Sequence, residues 1–134
     1  MAENLAEQIN AANTPLAKFM GIWITVANKD RIEGEMPVRP ELCTVGEKLH
    51  GGAMMAMADN LGALGAFLNL PPGAGTTTIE SSTKFLRPTP VGTVARGVAT
   101  PVRIGKTLQV WETKLYDANG ELTAVVMQTQ LTLK

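Results

Sequence analysis

The sequence predicts an α+β fold in which an antiparallel sheet curves around one long apolar helix. Two observations carry this. The stretch from His50 to Leu70 is rich in Ala, Met and Leu and apolar on nearly every face, which reads as a buried helix. On either side of it stand β-branched segments joined by short turns, two before the helix and four after it. A helix this apolar must be wrapped, and a curved antiparallel sheet meets that need.

Residues 3–13 read as a short helix, with Leu5, Ile9 and Ala12 on one face. Thr14-Pro15 restarts the chain, and Leu16 to Met20 gives one further turn. Ile22 to Val26 is β-branched and aromatic, and Ile32 to Val38 is its hairpin partner across the polar turn Asn28-Lys29-Asp30-Arg31. Residues 39–49 form a loop around Pro40 and Gly46. The central helix carries Met54, Met55, Met57, Leu61, Leu64, Phe67 and Leu68 around its circumference and stops at Pro71-Pro72-Gly73. At 1.5 Å per residue it runs roughly 30 Å. Thr76 to Leu86, Thr93 to Arg103, Thr107 to Tyr116 and Leu122 to Leu133 read as strands. The turns between them, at residues 89–92, 104–106 and 117–120, are short enough to imply antiparallel meanders.

A chain of 134 residues fits one domain, 1–134, with the helical segment 1–19 packed on it. Lys and Arg number 12 and Asp and Glu number 12, so there is no basic surplus to hold a nucleic acid. The single cysteine, Cys43, permits no intrachain disulfide and suits a reducing, cytoplasmic setting; it reads as a small buried residue. The first residues lack the basic start and apolar run of a signal peptide. The longest apolar stretch, Gly51 to Leu70, is interrupted by Asp59, so no membrane association is expected.

That interruption is the first candidate for chemistry. A carboxylate in an apolar helix is costly to bury. Either Asp59 faces solvent at a gap in the sheet, or it is the base of a sheltered site. The second candidate is His50-Gly51-Gly52, at the start of the same helix. A helix N-terminus has N–H groups without partners, and glycine lets a ligand approach them, so an anion or developing oxyanion can sit there; a plain turn is the alternative. The spacing says more than either feature. Gly51 and Asp59 are eight residues apart, about 12 Å along the axis, so one helix cannot present both to one carbonyl carbon. A shared substrate requires two chains, hence a two-fold dimer with sites built from both. Lys84 and Arg87, and Arg103 and Lys106, lie near strand ends, where cations suit the phosphates of a nucleotide tail or are ordinary surface charge. One histidine and one cysteine give no His/Cys zinc cluster, so no metal is expected. The only serines, Ser81 and Ser82, make a Ser-His-Asp triad unsuitable.

The run His50-Gly51-Gly52-Ala53-Met54-Met55-Ala56-Met57-Ala58-Asp59 resembles the signature of hotdog-fold thioesterases of the phenylacetate-pathway type. Phe85-Leu86-Arg87-Pro88, Arg103-Ile104-Gly105-Lys106-Thr107 and Tyr116-Asp117-Ala118-Asn119-Gly120-Glu121-Leu122 fit the same family, so the resemblance covers residues 20 to 133. It implies a hotdog fold, dimers joined edge to edge and often paired into tetramers, and hydrolysis of an acyl-CoA. Coenzyme A is then part of the substrate and no cofactor is needed. The resemblance assigns the catalytic carboxylate to Asp59, the oxyanion N–H to Gly51 and a thioester contact to His50. It places coenzyme A contacts at Arg103 and Lys106. The sequence departs from the family in having Thr44 where Asn or Gln is common, Glu47 where Gly is common, and Ala63 where Ser or Thr occurs in some members. Gly52, Thr44 and Ala63 complete the expected substrate contacts. Two other activities fit a hotdog domain: acyl-thioester dehydration or hydration, and acyl-CoA binding without catalysis. Trp23, Met54, Met57 and Phe67 are candidates to line an apolar acyl pocket.

Overall fold

A computed structural model describes residues 4–134. The expected first helix is α1, Leu5–Ala12, capped by Asn4, whose Oδ1 accepts from the Ala6 N–H; Glu3 lies outside the described residues. α2, Pro15–Met20, starts on Thr14, whose hydroxyl accepts from the Ala17 N–H, and ends at Gly21. There φ is +80°, which glycine adopts without strain. β1 is Trp23–Asn28 and β2 is Arg31–Pro37. The expected loop 39–49 contains more order: a single 3-10 turn at Pro40–Leu42, then a two-residue hairpin of β3, Cys43–Thr44, and β4, Lys48–Leu49. Cys43 is half-buried rather than buried, and its thiol donates to the Arg39 carbonyl. The central helix, α3, spans Gly51–Leu68, with His50 and Asn69 as its caps. β5, Gly75–Phe85, β6, Val94–Ile104, β7, Leu108–Tyr116, and β8, Leu122–Leu133, follow.

The six long strands form one antiparallel sheet in the order β1-β2-β6-β7-β8-β5. β6, β7 and β8 are the expected meander. β5 is not part of it. Despite the short link at residues 86–93, β5 pairs with β8 at the sheet edge, separated from β6 by both β7 and β8. The link crosses the end of the sheet through a bend at Arg87 and a turn at Val91-Gly92, and finds hydrogen bonds on the way. Leu86 and Arg87 N–H groups donate to the Thr123 carbonyl, Leu49 N–H to the Thr89 carbonyl, and Val91 N–H to the Glu47 carbonyl. A short link limits distance but does not select a partner.

The concave face of the sheet packs on α3. Met57, Ala58, Leu61 and Ala66 are fully buried there, with Trp111 and Leu115 from β7. Two helix glycines make room for sheet side chains. A Cβ on Gly62 would lie 2.4 Å from the Gln128 amide, and one on Gly65 would lie 2.4 Å from the Trp111 ring. Trp111 Nε1 donates to Gln109 Oε1 at 2.9 Å, and Gln109 Nε2 donates to the Ala66 carbonyl at 3.1 Å, so the indole N–H and the Gln109 amide are satisfied.

The expectation of burial all round α3 is not met. One sheet covers one side, and α1 and α2 cover part of the other. Ala53, Ala56, Asp59, Asn60, Ala63 and Leu64 are half-buried, and Phe67 is 59% exposed. Of the expected pocket residues, Met54 and Met57 belong to the core and Trp23 is 58% exposed. Among the described residues no helix is long and apolar enough to cross a membrane.

Candidate active site

Asp59 sits mid-way along α3 on its half-buried side. Its Oδ1 accepts from the Thr78 hydroxyl at 2.6 Å and, more distantly, from Gln128 Nε2 at 3.4 Å. Gln130 Nε2 donates to the Thr78 oxygen at 2.5 Å, and the Thr76 hydroxyl lies 3.1 Å from Gln130 Oε1. An amide nitrogen only donates, so the Thr78 oxygen must accept from Gln130 and its one proton points at Asp59. Oδ1 is thereby held, while Oδ2 has no hydrogen-bond partner among the described residues.

The placement of Thr78 follows from an irregularity in β5. Pairing with β8 slips between Thr78 and Glu80, leaving Ile79 as a bulge. Ahead of the bulge, Thr76 and Thr78 face inward; beyond it, the more buried positions are Ser81 and Thr83. A bulge reverses the alternation of faces. That reversal also puts Phe85, which stays 53% exposed, on the helix side of the strand at the start of α3, where a Cβ on Gly51 would lie 3.0 Å from its ring.

At that helix start, His50 Nδ1 accepts from the Gly52 N–H at 2.7 Å. The neutral imidazole then carries its proton on Nε2. The Gly52 N–H is thus already used, and the next two N–H groups, of Ala53 and Met54, reach the His50 carbonyl. The Gly51 N–H has no partner among the described residues and points out at the positive end of an 18-residue helix.

The structure brings Ala63 beside Asp59. Both line a cavity of about 220 Å³ with Ala56, Asn60 and residues of α2. Thr44 is exposed on β3 and Glu47 turns the β3–β4 hairpin at φ +56°, a conformation glycine adopts freely. The basic residues fall into two groups. Lys84 and Arg87 flank Phe85 near the start of α3, with Arg87 3.4 Å from Glu121. Arg103 and Lys106 are exposed at the β6–β7 turn, and Lys106 shares a cleft with Asn69, Leu70 and Pro71 at the other end of α3. The helix between them spans about 27 Å. Sequence reasoning missed Thr78, Gln128, Gln130 and Phe85. For the two glutamines a signal existed: Ala124, Val126, Gln128 and Gln130 alternate on the inward face of β8.

The family model for the thioesterase superfamily matches residues 46–124, from the β3–β4 hairpin through α3 to the start of β8. The chain belongs to the thioesterase superfamily. It is similar to the proofreading thioesterase EntH of Cronobacter turicensis, 34% identical over 115 residues that cover 85% of this chain and 83% of that protein. Among solved structures it is similar to the thioesterase HI1161 of Haemophilus influenzae, with a TM-score of 0.91, 27% identity, and coverage of 99% of this chain and 93% of that one. The PaaI protein of the E. coli phenylacetic acid degradation operon superimposes with a TM-score of 0.87 at 19% identity, covering 97% and 92%, which supports the fold alone. The thioesterase therefore has the hotdog architecture expected from its His50-to-Asp59 signature, and its activity is acyl-CoA thioester hydrolysis.

Proposed function

We propose that two copies of this thioesterase build each active site, with Asp59 from one and Gly51 from the other. The observation that carries the reading is the contrast within α3. Asp59 has one oxygen held and one unbonded, while the unpartnered Gly51 N–H lies eight residues away, about 12 Å along the same helix. A two-fold axis that sets two α3 helices antiparallel would bring each Asp59 beside the partner's Gly51. The half-buried face of α3 and the open edge of β5 are the surfaces such a dimer would cover. Pairing of dimers into a tetramer extends the same proposal.

In this site the thioester oxygen lies at the Gly51 N–H, where the helix terminus favours the developing negative charge. Asp59 Oδ2 takes a proton from water as it attacks the carbonyl carbon, or attacks that carbon itself to form an anhydride that water opens. Collapse breaks the C–S bond and releases coenzyme A as its thiolate, which is then protonated, and the free acid. His50 Nε2–H is available to the thioester sulfur. Antiparallel helices also carry Arg103 and Lys106 of one subunit toward the Lys84 and Arg87 end of the other, so both basic groups can meet the phosphates of coenzyme A. Asp59→Asn should lower kcat for thiol release by about a hundredfold or more with little change in KM. Turnover surviving in that variant would remove Asp59 from the chemistry.

A further inference from the structure

The peptide unit between His50 and Gly51 carries the open N–H at the start of α3, and it is held from several sides. Its carbonyl oxygen accepts from the Ala53 N–H at 2.9 Å and from the Met54 N–H at 3.1 Å. A trans peptide is planar, with its N–H directed opposite to its C=O. With the carbonyl turned into the helix, the Gly51 N–H therefore faces out of its end. On the other side, the His50 N–H donates to the Leu42 carbonyl at 2.9 Å and ties the residue to the 3-10 turn.

The remaining hold is the imidazole. Its Nδ1 accepts from the Gly52 N–H at 2.7 Å, which makes His50 the N-cap of α3. Nothing else shares that task. The first turn has no acidic residue, and Ala53 stands where a Glu or Gln would reach back to the cap. Among the described residues the imidazole makes the only side-chain hydrogen bond at this helix end. The two residues that follow are both glycine, whose backbone supplies the least stiffness of its own. The second glycine also makes room for the ring: a Cβ on Gly52 would lie 3.0 Å from Nδ1 and 3.2 Å from Cε1.

We infer that His50 is a positioning residue for the hydrolysis. By capping α3 through Nδ1 it fixes the direction of the Gly51 N–H, and so the place of the thioester oxygen. This rests on the oxyanion contact at Gly51 proposed above. The two ring nitrogens then have separate tasks, Nδ1 accepting within the protein and Nε2–H facing the substrate, and the rate depends chiefly on Nδ1.

Asn and Gln separate the two nitrogens. Asn sets an acceptor near the place of Nδ1 and is among the best capping residues, but it is too short to reach the place of Nε2. Gln carries an amide N–H toward the place of Nε2, with a side chain one methylene too long to cap. kcat and KM for thiol release are measured for wild type, His50→Ala, His50→Asn and His50→Gln, at a temperature where circular dichroism shows all four folded. His50→Ala should lower kcat by about tenfold or more with KM within about threefold. His50→Asn should recover at least about fivefold of that loss, and His50→Gln less than about twofold. Recovery by Gln and not by Asn overturns the inference, because the Nε2–H would then carry the effect. Recovery by neither, or no loss in His50→Ala, overturns it as well. Gly51→Pro that keeps wild-type turnover removes the oxyanion contact itself, and the role of His50 falls with it.

Discussion

Asp59 shows how much a single residue can reveal. A charge inside an apolar run is conspicuous, and the amino-acid sequence alone makes it a candidate. What holds it is not conspicuous. Thr78 is one of three consecutive threonines in a strand, and the strand's register ahead of the bulge at Ile79 turns it, with Thr76, to the helix side. Gln128 and Gln130 look like ordinary strand polars until the inward face of β8 is known. The hydrogen-bond chain makes a definite claim: Thr78 positions Asp59, and Gln130 orients Thr78. Thr78→Val, nearly the same shape without the hydroxyl, should lower kcat by about tenfold or more while leaving KM nearly unchanged. Thr78→Ser should restore most of the rate. A loss in Thr78→Ser with none in Thr78→Val would mean that the side chain's packing matters and its hydroxyl does not.

At the scale of elements, the boundaries of the helices and strands are readable because they follow from local chemistry. Caps, prolines and alternation mark where an element starts and stops. Which strand neighbours which is a long-range matter, and there the sequence misleads for β5. The glycines of α3 are also opaque. In sequence Gly62 and Gly65 merely weaken a helix; in the fold they admit Gln128 and Trp111 to its surface. This gives their substitution an unusual sign. Alanine should favour an isolated helix by up to about 1 kcal/mol. At Gly65, however, the added methyl meets a fully buried indole at 2.4 Å, fixed by its hydrogen bond to Gln109. Gly65→Ala should therefore destabilise the protein by about 1–3 kcal/mol, the usual range for overpacking. Urea unfolding would report it as a lower midpoint with an unchanged slope. A higher midpoint would mean that Trp111 can move aside.

At the scale of the whole molecule, the separation of Gly51 from Asp59 is the strongest constraint, and it comes from counting residues. The structure adds the surfaces: an unpaired β5 edge and a half-covered helix face. Two individually inactive chains can test whether sites are shared. Asp59→Asn removes the carboxylate. Gly51→Pro removes the N–H, and proline is well tolerated at the first position of a helix. Phe85 would be crowded by the ring, so Gly51→Ala, which crowds it similarly but keeps the N–H, is the control and should retain activity. In a mixed dimer of the two mutant chains, one site combines both defects and the other has both an intact Asp59 and an intact Gly51. Equal random mixing makes half the dimers mixed, each with one working site of two, so activity should return to about a quarter of wild type. Sites confined to single chains would recover nothing, because every chain in the mixture lacks one of the two groups.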